Sequence, residues 1–408
     1  MNRQVNSMWK FEIRKIIVKP MNRLILIGLC AIILLGSFLT IRDVKYIRED
    51  GTTVSGISAA KQLKKERAKW EGTLTEDVLK RVVAENHKIT AESVSEDEAF
   101  RKKQPAEDIN MMLNSAFAGF DDFDYYKADH LSEEEAARLY QKRIDSLKEY
   151  LSREDIKDTY SENEKAFLVK QWENLKTPFH YEYVEGWKAL VDSQYMPTLM
   201  TILVVALGAL ISGIFSDEFA WKADSVFFST KLGRNKAVAS KISAGILLTT
   251  VVYWAVIFLF SAIVLAILGA GGADCPVQIG KSWKSIYNLT YGQAYLLTVT
   301  GGYVGSMFMI LLAMLISAKT RSTAIAITVP FILSCVPMFL GRIPFLSRIT
   351  SFFPDMLLKM NQYLDQFLLV KAGGKVMGAF TAIVPLYLLL AIIIIPVLYL
   401  VYKKAEVK

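Results

Sequence analysis

The chain has 408 residues, 52% of them hydrophobic, a formal net charge of +8 and a mean hydropathy of +0.29. The basic excess needs no nucleic acid: residues 42–195 carry 25 Lys and Arg against 32 Asp and Glu, net −7, which leaves 23 basic against 8 acidic residues, net +15, in the apolar remainder. Of three cysteines, Cys30 and Cys335 fall inside apolar runs, so no internal disulfide framework is available.

Charge-free apolar runs cover residues 24–41, 193–216, 242–273, 285–318, 322–341 and 376–402. Each can cross a ~30 Å hydrocarbon core, which takes about 20 helical residues. The spacing predicts an all-α integral membrane protein. Six transmembrane helices are expected, the first (21–41) separated from the other five (196–408) by a mainly helical extracellular domain over 42–195.

Before the first span, Val5, Met8, Trp9, Ile13, Ile16 and Ile17 recur near helical spacing with basic residues opposite. This pattern predicts a cytoplasmic interfacial helix over 1–20, with Trp9 at headgroup depth. Pro20 separates it from the span, because proline disfavours helical geometry in the residue before it. The long amphipathic leader has no clear small-x-small cleavage site, so the span reads as an uncleaved anchor.

In 42–195, Ser132 with Glu135 forms a capping box ahead of Tyr140, Ile144, Leu147 and Leu151. Ser161 with Glu164 does the same ahead of Phe167, Leu168, Trp172 and Leu175. Strand-like alternation is not evident, so a helical bundle or hairpin is expected. The domain ends in a run of aromatics, Phe179, Tyr181, Tyr183, Trp187 and Tyr195, suited to the outer membrane interface. Tyr181, Tyr183 and Trp187 are alternatively a substrate-contacting stack at the domain's foot.

Between the second and third spans, Ser216 can cap a helix whose first turn carries Asp217 and Glu218. Gly233 is a plausible stop for it, with Arg234, Asn235 and Lys236 leading into the third span. Gly208 with Ser212, Ala209 with Gly213, and Gly301 with Gly305 offer close helix contacts, within the chain or between subunits. Residues 342–375 are too long for a turn and predict an interface-parallel or re-entrant helix pair. Pro330, Pro337, Pro385 and Pro396 are expected to kink the last two spans.

Short segments rich in Lys and Arg stay cytoplasmic. Such residues cluster before the first span, between the second and third, between the fourth and fifth, and after the sixth. Six spans with both termini inside satisfy all four clusters, against the counter-signal of Arg342, Arg348, Lys359, Lys371 and Lys375. The expected location is a bacterial cell membrane.

No run holds Asp, Glu, Lys, Arg or His in its interior, which argues against a transporter running on its own ion gradient. A path lined by Thr249, Thr298 and Ser306 suits amphipathic cargo better than bare ions. Gly280, Lys281 and Ser282 end like a phosphate-binding loop, yet Cys275 stands where its first glycine belongs. His87, His130 and His180 are scattered through the polar domain and read as solvated. No enzyme activity, metal or bound cofactor is expected of this chain.

Phe215, Ser216, Asp217 and Glu218, followed by Gly233, Arg234 and Lys241, resemble the coupling segment of type-two ATP-binding-cassette (ABC) export permeases. In that family a phenylalanine-x-x-glutamate element closing the second span opens a coupling helix, and an elbow helix precedes the first span. The resemblance covers nearly all residues outside 42–195. It implies a homo- or heterodimer of six-span subunits, each docked on a separate cytoplasmic ATPase subunit that holds ATP and Mg. The coupling residues it implies are Trp9, Glu12, Arg14, Phe215, Asp217, Glu218, Lys231 and Arg234. The large outer domain departs from many members and turns the expected cargo toward peptide-like or antimicrobial molecules over simple lipid or drug flipping. The alternative is a non-transporting receptor or secretion accessory protein.

Overall fold

The computed structural model describes residues 2–223, 229, 233–343, 346 and 349–404, the side chains of 2–7 and 234 excepted. Among them, six helices are long and apolar enough to cross a membrane: Pro20–Arg42, Tyr195–Ala220, Asn235–Leu268, Tyr291–Thr320, Thr323–Leu340 and Ala379–Lys403. These first to sixth spans overlie the six apolar runs, and the chain is mostly helical, consistent with an all-α membrane protein. An amphipathic helix, Asn2–Val18, precedes the first span across a bend at Lys19. Pro20 opens that span, where its missing N–H has no helical partner to lose.

The second and fourth spans are interior, with 67% and 61% of their most apolar stretches covered, against 22% for the fifth and sixth. The outer spans accordingly present Leu34, Phe331 and Ile392 outward, a surface suited to lipid. Close packing sits where the sequence places small residues. A Cβ built on Gly208 would stand 2.6 Å from Pro330, so the second span receives the fifth at its proline. On Gly301 and Gly305 it would stand 2.9 Å from Met360 and 2.7 Å from Leu357. The GxxxG face is thus filled by the chain's own 3-10 segment, Pro354–Leu364, so its small residues serve intramolecular packing.

Residues 42–195 are helical apart from two small antiparallel pairs that the sequence reading lacks. β1 (Lys45–Ile47) pairs with β2 (Thr53–Ser55), and β3 (Gly72–Thr73) with β4 (His180–Tyr181). Strands of two or three residues are too short to show alternation. Both expected capping boxes form, and a third, Thr290 with Gln293, opens the fourth span. Over 342–375, of which residues 344, 345, 347 and 348 lie outside the described residues, the 3-10 segment leads into a hairpin, β5 (Leu369–Ala372) and β6 (Lys375–Gly378). Gly373 and Gly374 make its turn, both at positive φ, the combination a two-residue hairpin turn of the favoured hand demands.

This hairpin and the loop between the third and fourth spans hold the polar domain. Phe367 packs among Phe120, Tyr150 and Trp172, and Lys371 pairs with Glu164 at 3.3 Å. Arg143 is buried with its guanidinium 3.9 Å from the Trp172 ring centre and 5.5 Å from that of Trp283. Burial lowers its pKa to about 9, and the two indole faces supply attraction in place of a carboxylate.

Gly305→Val should force Leu357 away and cost about 1–3 kcal/mol by overpacking, read as a lower thermal midpoint in detergent. Oligomeric state on size-exclusion chromatography should not change, because the face is filled from within the chain.

Candidate functional site

The helix expected to start at Ser216 does not start there. The second span runs on to Ala220, and the Ser216 hydroxyl, inside it, bonds Ser212 O at 3.3 Å and Thr323 Oγ1 at 2.6 Å. Phe215 and Phe219 prolong the apolar stripe, and the helical path ends only near Lys222, at φ +55°. On the far side, Gly233–Ala237 forms a π-helical turn that feeds directly into the third span. Reading spans as charge-free runs therefore cut both helices short, and Asp217, Glu218 and Lys241 lie on them.

These charges are paired in a buried knot. The Lys241 side chain is 1% exposed, and its ammonium donates to Glu218 Oε1 at 2.8 Å, Ile214 O at 2.9 Å and Glu12 Oε2 at 3.1 Å. Three acceptors match the three hydrogens of an ammonium. Lys15 reaches Glu218 at 2.7 Å and Glu12 at 3.5 Å, and Lys19 pairs with Asp217. Three cations and three carboxylates thus join the N-terminal helix to the end of the second span and the start of the third. Burial works against the charge on Lys15, but Glu218 and Glu12 outweigh it and raise its pKa. Asn22 adds bonds to Ile16 O (2.8 Å) and Leu210 O (3.3 Å), and buried Phe215 sits edge-on to Tyr402 of the sixth span, ring centres 4.6 Å apart.

Of the residues named for coupling, Glu12, Phe215 and Glu218 are buried in or beside this knot, while Trp9 and Asp217 are half-buried and Arg14 is exposed. Lys231, the Arg234 side chain and residues 224–228, 230 and 232 lie outside the described residues. Sequence reasoning missed Lys241 as the hub. The available signal was its isolation, since a single lysine at the head of a long uncharged run needs a partner.

Toward the opposite end of the second span, the polar domain has its own charge cluster. Arg67, 2% exposed, pairs with Asp108 at 2.9 Å and Glu107 at 3.0 Å and also with Glu185. Lys188 pairs with Asp108 as well, and the Tyr181 hydroxyl donates to it at 3.0 Å. Burial alone would raise the Asp108 carboxyl, but Arg67 and Lys188 hold it at about 2. Tyr181 and Tyr183 are buried rather than set at an interface or open to a substrate, because Asp108 and the Gly269 turn take up their surfaces. Trp187 is half-buried, donating to Ala270 O at 3.0 Å and meeting Tyr295 edge-on. Tyr183 and Trp187 join the domain to the spans, and Tyr181 is held within the domain.

A cleft of about 850 Å³ opens beside this cluster, lined by Arg67, Glu107, Lys188, Asp192 and Trp283 among others. Asp192 Oδ2 accepts from the Tyr291 hydroxyl at 2.7 Å, while Oδ1 is enclosed without a protein partner. Burial pushes this carboxyl up to about 7, against the pull of Tyr291 and Lys188.

Lys241→Met should leave Glu12 and Glu218 with Lys15 as their one shared cation, an uncompensated buried carboxylate that costs about 3–5 kcal/mol. Adding Glu218→Gln should recover much of the lost thermal stability, since Glu12 and Lys15 then remain as a balanced pair. Asp192 titrates from about 3.8 unfolded to about 7 folded, so the folded state holds the extra proton. Its contribution to stability is full below the lower value and is lost as pH rises through the upper one. Asp192→Asn should flatten that part of the fall in thermal midpoint between the two.

Set against protein-family models, curated proteins and solved structures, the chain matches none. Function is therefore argued from these contacts.

Proposed function

We propose that this chain is the membrane-spanning permease subunit of an ATP-driven exporter of the ABC type. It works as one half of a dimer, docked on a separate cytoplasmic ATPase subunit that supplies ATP and Mg. The observation carrying this reading is the ion knot of Glu12, Lys15, Lys19, Asp217, Glu218 and Lys241, with Glu12, Glu218 and Lys241 buried at its centre. It ties the N-terminal helix to the junction of the second and third spans, the two elements that an ATPase grips in the family the sequence resembles. Movement of either element reaches the spans through paired charges instead of a slack linker.

The Lys and Arg clusters at this end assign it to the cytoplasm, which puts both termini inside and the polar domain outside a bacterial cell membrane. Apart from the charges of the knot, the spans have uncharged interiors with scattered Ser and Thr, in keeping with an amphipathic cargo, whether peptide, antimicrobial or lipid-like. Glu12, Phe215 and Glu218 point inward and transmit force. Arg14 and Trp221, exposed at the same end, are the contacts offered to the ATPase.

The second reading is a receptor or secretion accessory protein. It draws on a groove of about 740 Å³ made wholly of polar-domain residues, Val94, Phe100, Met111 and Tyr125 among them. Affinity purification of the full chain in mild detergent separates the two. A Walker-type ATPase should accompany the wild-type chain, and Arg14→Glu should lower its recovery about tenfold, the effect of about 1.4 kcal/mol at an interface. Recovery of an outer-domain partner with no ATPase establishes the second reading and sinks the first.

A further inference from the structure

His180, expected to be solvated like the exposed His87 and His130, instead faces two carboxylates. It lies on β4, where His180 and Glu182 stand on one side of the extended chain and Tyr181 points the other way into the buried Asp108 cluster. The third carboxyl-bearing residue, Asp274, comes from the turn that follows the third span. His180 Nε2 is 3.1 Å from Glu182 Oε1 and 3.9 Å from Asp274 Oδ2, and one donor atom from each of the three lies within 4.8 Å of the others.

The backbone around these groups is fixed before any ligand arrives. β4 is held by β3 through Gly72 and Thr73. The turn is clamped to the same segment: Gly272 N–H donates to Glu182 Oε2 at 3.0 Å, and Glu182 N–H to Cys275 Sγ at 3.2 Å. Gly272 has φ +74°, and a Cβ there would stand 3.1 Å from Val184 and 3.2 Å from Tyr183 O, so the approach requires glycine. The first of these bonds occupies one Glu182 oxygen and leaves the other toward His180, and such a hydrogen bond is what orients a ligating carboxylate.

We propose that His180, Glu182 and Asp274 form a binding site for a first-row transition-metal ion, with zinc the best match, that staples the polar domain to the turn after the third span. One imidazole nitrogen and two carboxylate oxygens suit zinc, and the imidazole disfavours magnesium or calcium. Ligand atoms about 2.0–2.2 Å from a tetrahedral zinc lie about 3.3–3.5 Å from one another, so the observed separations need only a small adjustment. The Cys275 thiol is no ligand: it is buried, and its Sγ already accepts from Glu182 N–H. His180 would carry its proton on Nδ1, and the partly exposed face leaves the fourth position to water.

This site stands apart from the charge knot and from any ATPase, so it can fail or succeed independently of the exporter reading. The test is titration calorimetry of zinc into the full chain in detergent, purified through a tag without histidines. The expected result is one zinc per chain and a higher thermal midpoint in its presence. His180→Ala and Asp274→Asn should each weaken binding by about tenfold or more, a ligand mattering at least as much as the outer-shell partners whose loss costs about 10–100-fold. Asp274 is the most exposed of the three at 72%, so its variant keeps the fold if His180→Ala does not. Absence of zinc binding by the wild type, unchanged affinity in Asp274→Asn, or magnesium binding as tightly as zinc overturns the assignment.

Discussion

The constraint on which one whole end of the molecule depends is the desolvation of the Lys241 ammonium. At 1% exposure its charge faces Glu12 and Glu218, and Ile214 O accepts from it as well. Those partners come from two other pieces of chain, so meeting the demand of one lysine fixes three backbones at once. The contacts around it reach every span. Asn22 of the first bonds Leu210 O of the second, Ser317 of the fourth bonds Ser212 O, Thr323 of the fifth meets Ser216, and Tyr402 of the sixth packs on Phe215. Helices that otherwise meet through apolar side chains are thereby registered to one another at this end.

The polar domain is fixed by different means. Arg143 has indole faces as neighbours, Arg67 has several carboxylates, and Phe367 sits in an aromatic cluster behind a hairpin that belongs to the chain before the sixth span. These attachments reach the loop between the third and fourth spans and the hairpin before the sixth. The domain therefore cannot tilt without dragging the span ends beneath it. The second span runs from the Asp192 neighbourhood to the Glu218 knot, which makes it the shortest covalent path between the two charged regions. On the exporter proposal, that span is the element whose position both regions bias, which is the physical content a coupling path must have.

Much of this was legible in the residues, and the misses have identifiable causes. Six apolar runs gave six helices because a long uncharged stretch has few other ways to satisfy its backbone in lipid. Ser132 with Glu135 and Ser161 with Glu164 capped where they stand because a capping box is a local bond pattern that needs no tertiary help. Ser216 failed for the complementary reason. A serine before two acids satisfies a local rule, but the apolar contacts of Phe215 with Tyr402 carry the helix through it. The hairpin after Leu364 was missed although Gly373 and Gly374 signalled its turn, because its strands are four residues each and lie next to a longer apolar run. The His180 cluster was invisible in principle, since Asp274 is 94 residues away and only the packed turn brings it there.

The ion knot raises a further question of economy. Buried ion pairs seldom stabilise a fold more than apolar side chains of the same shape would, so stability alone does not explain six ionised groups at a helix junction. Their arrangement suggests what an apolar substitute would lack. Lys15 already touches both Glu12 and Glu218, and Lys241 touches the same two carboxylates. Each carboxylate therefore has two cations within reach, and each cation two carboxylates. The N-terminal helix can shift against the second and third spans by trading one partner for the other, with no charge left unpaired along the way. Interdigitated apolar side chains would have to unpack to make the same shift, because close-packed cores hold one arrangement or another with a barrier between them. In a permease driven from outside its own spans, as proposed here, a junction that stays intact while sliding is what the transmission of movement requires.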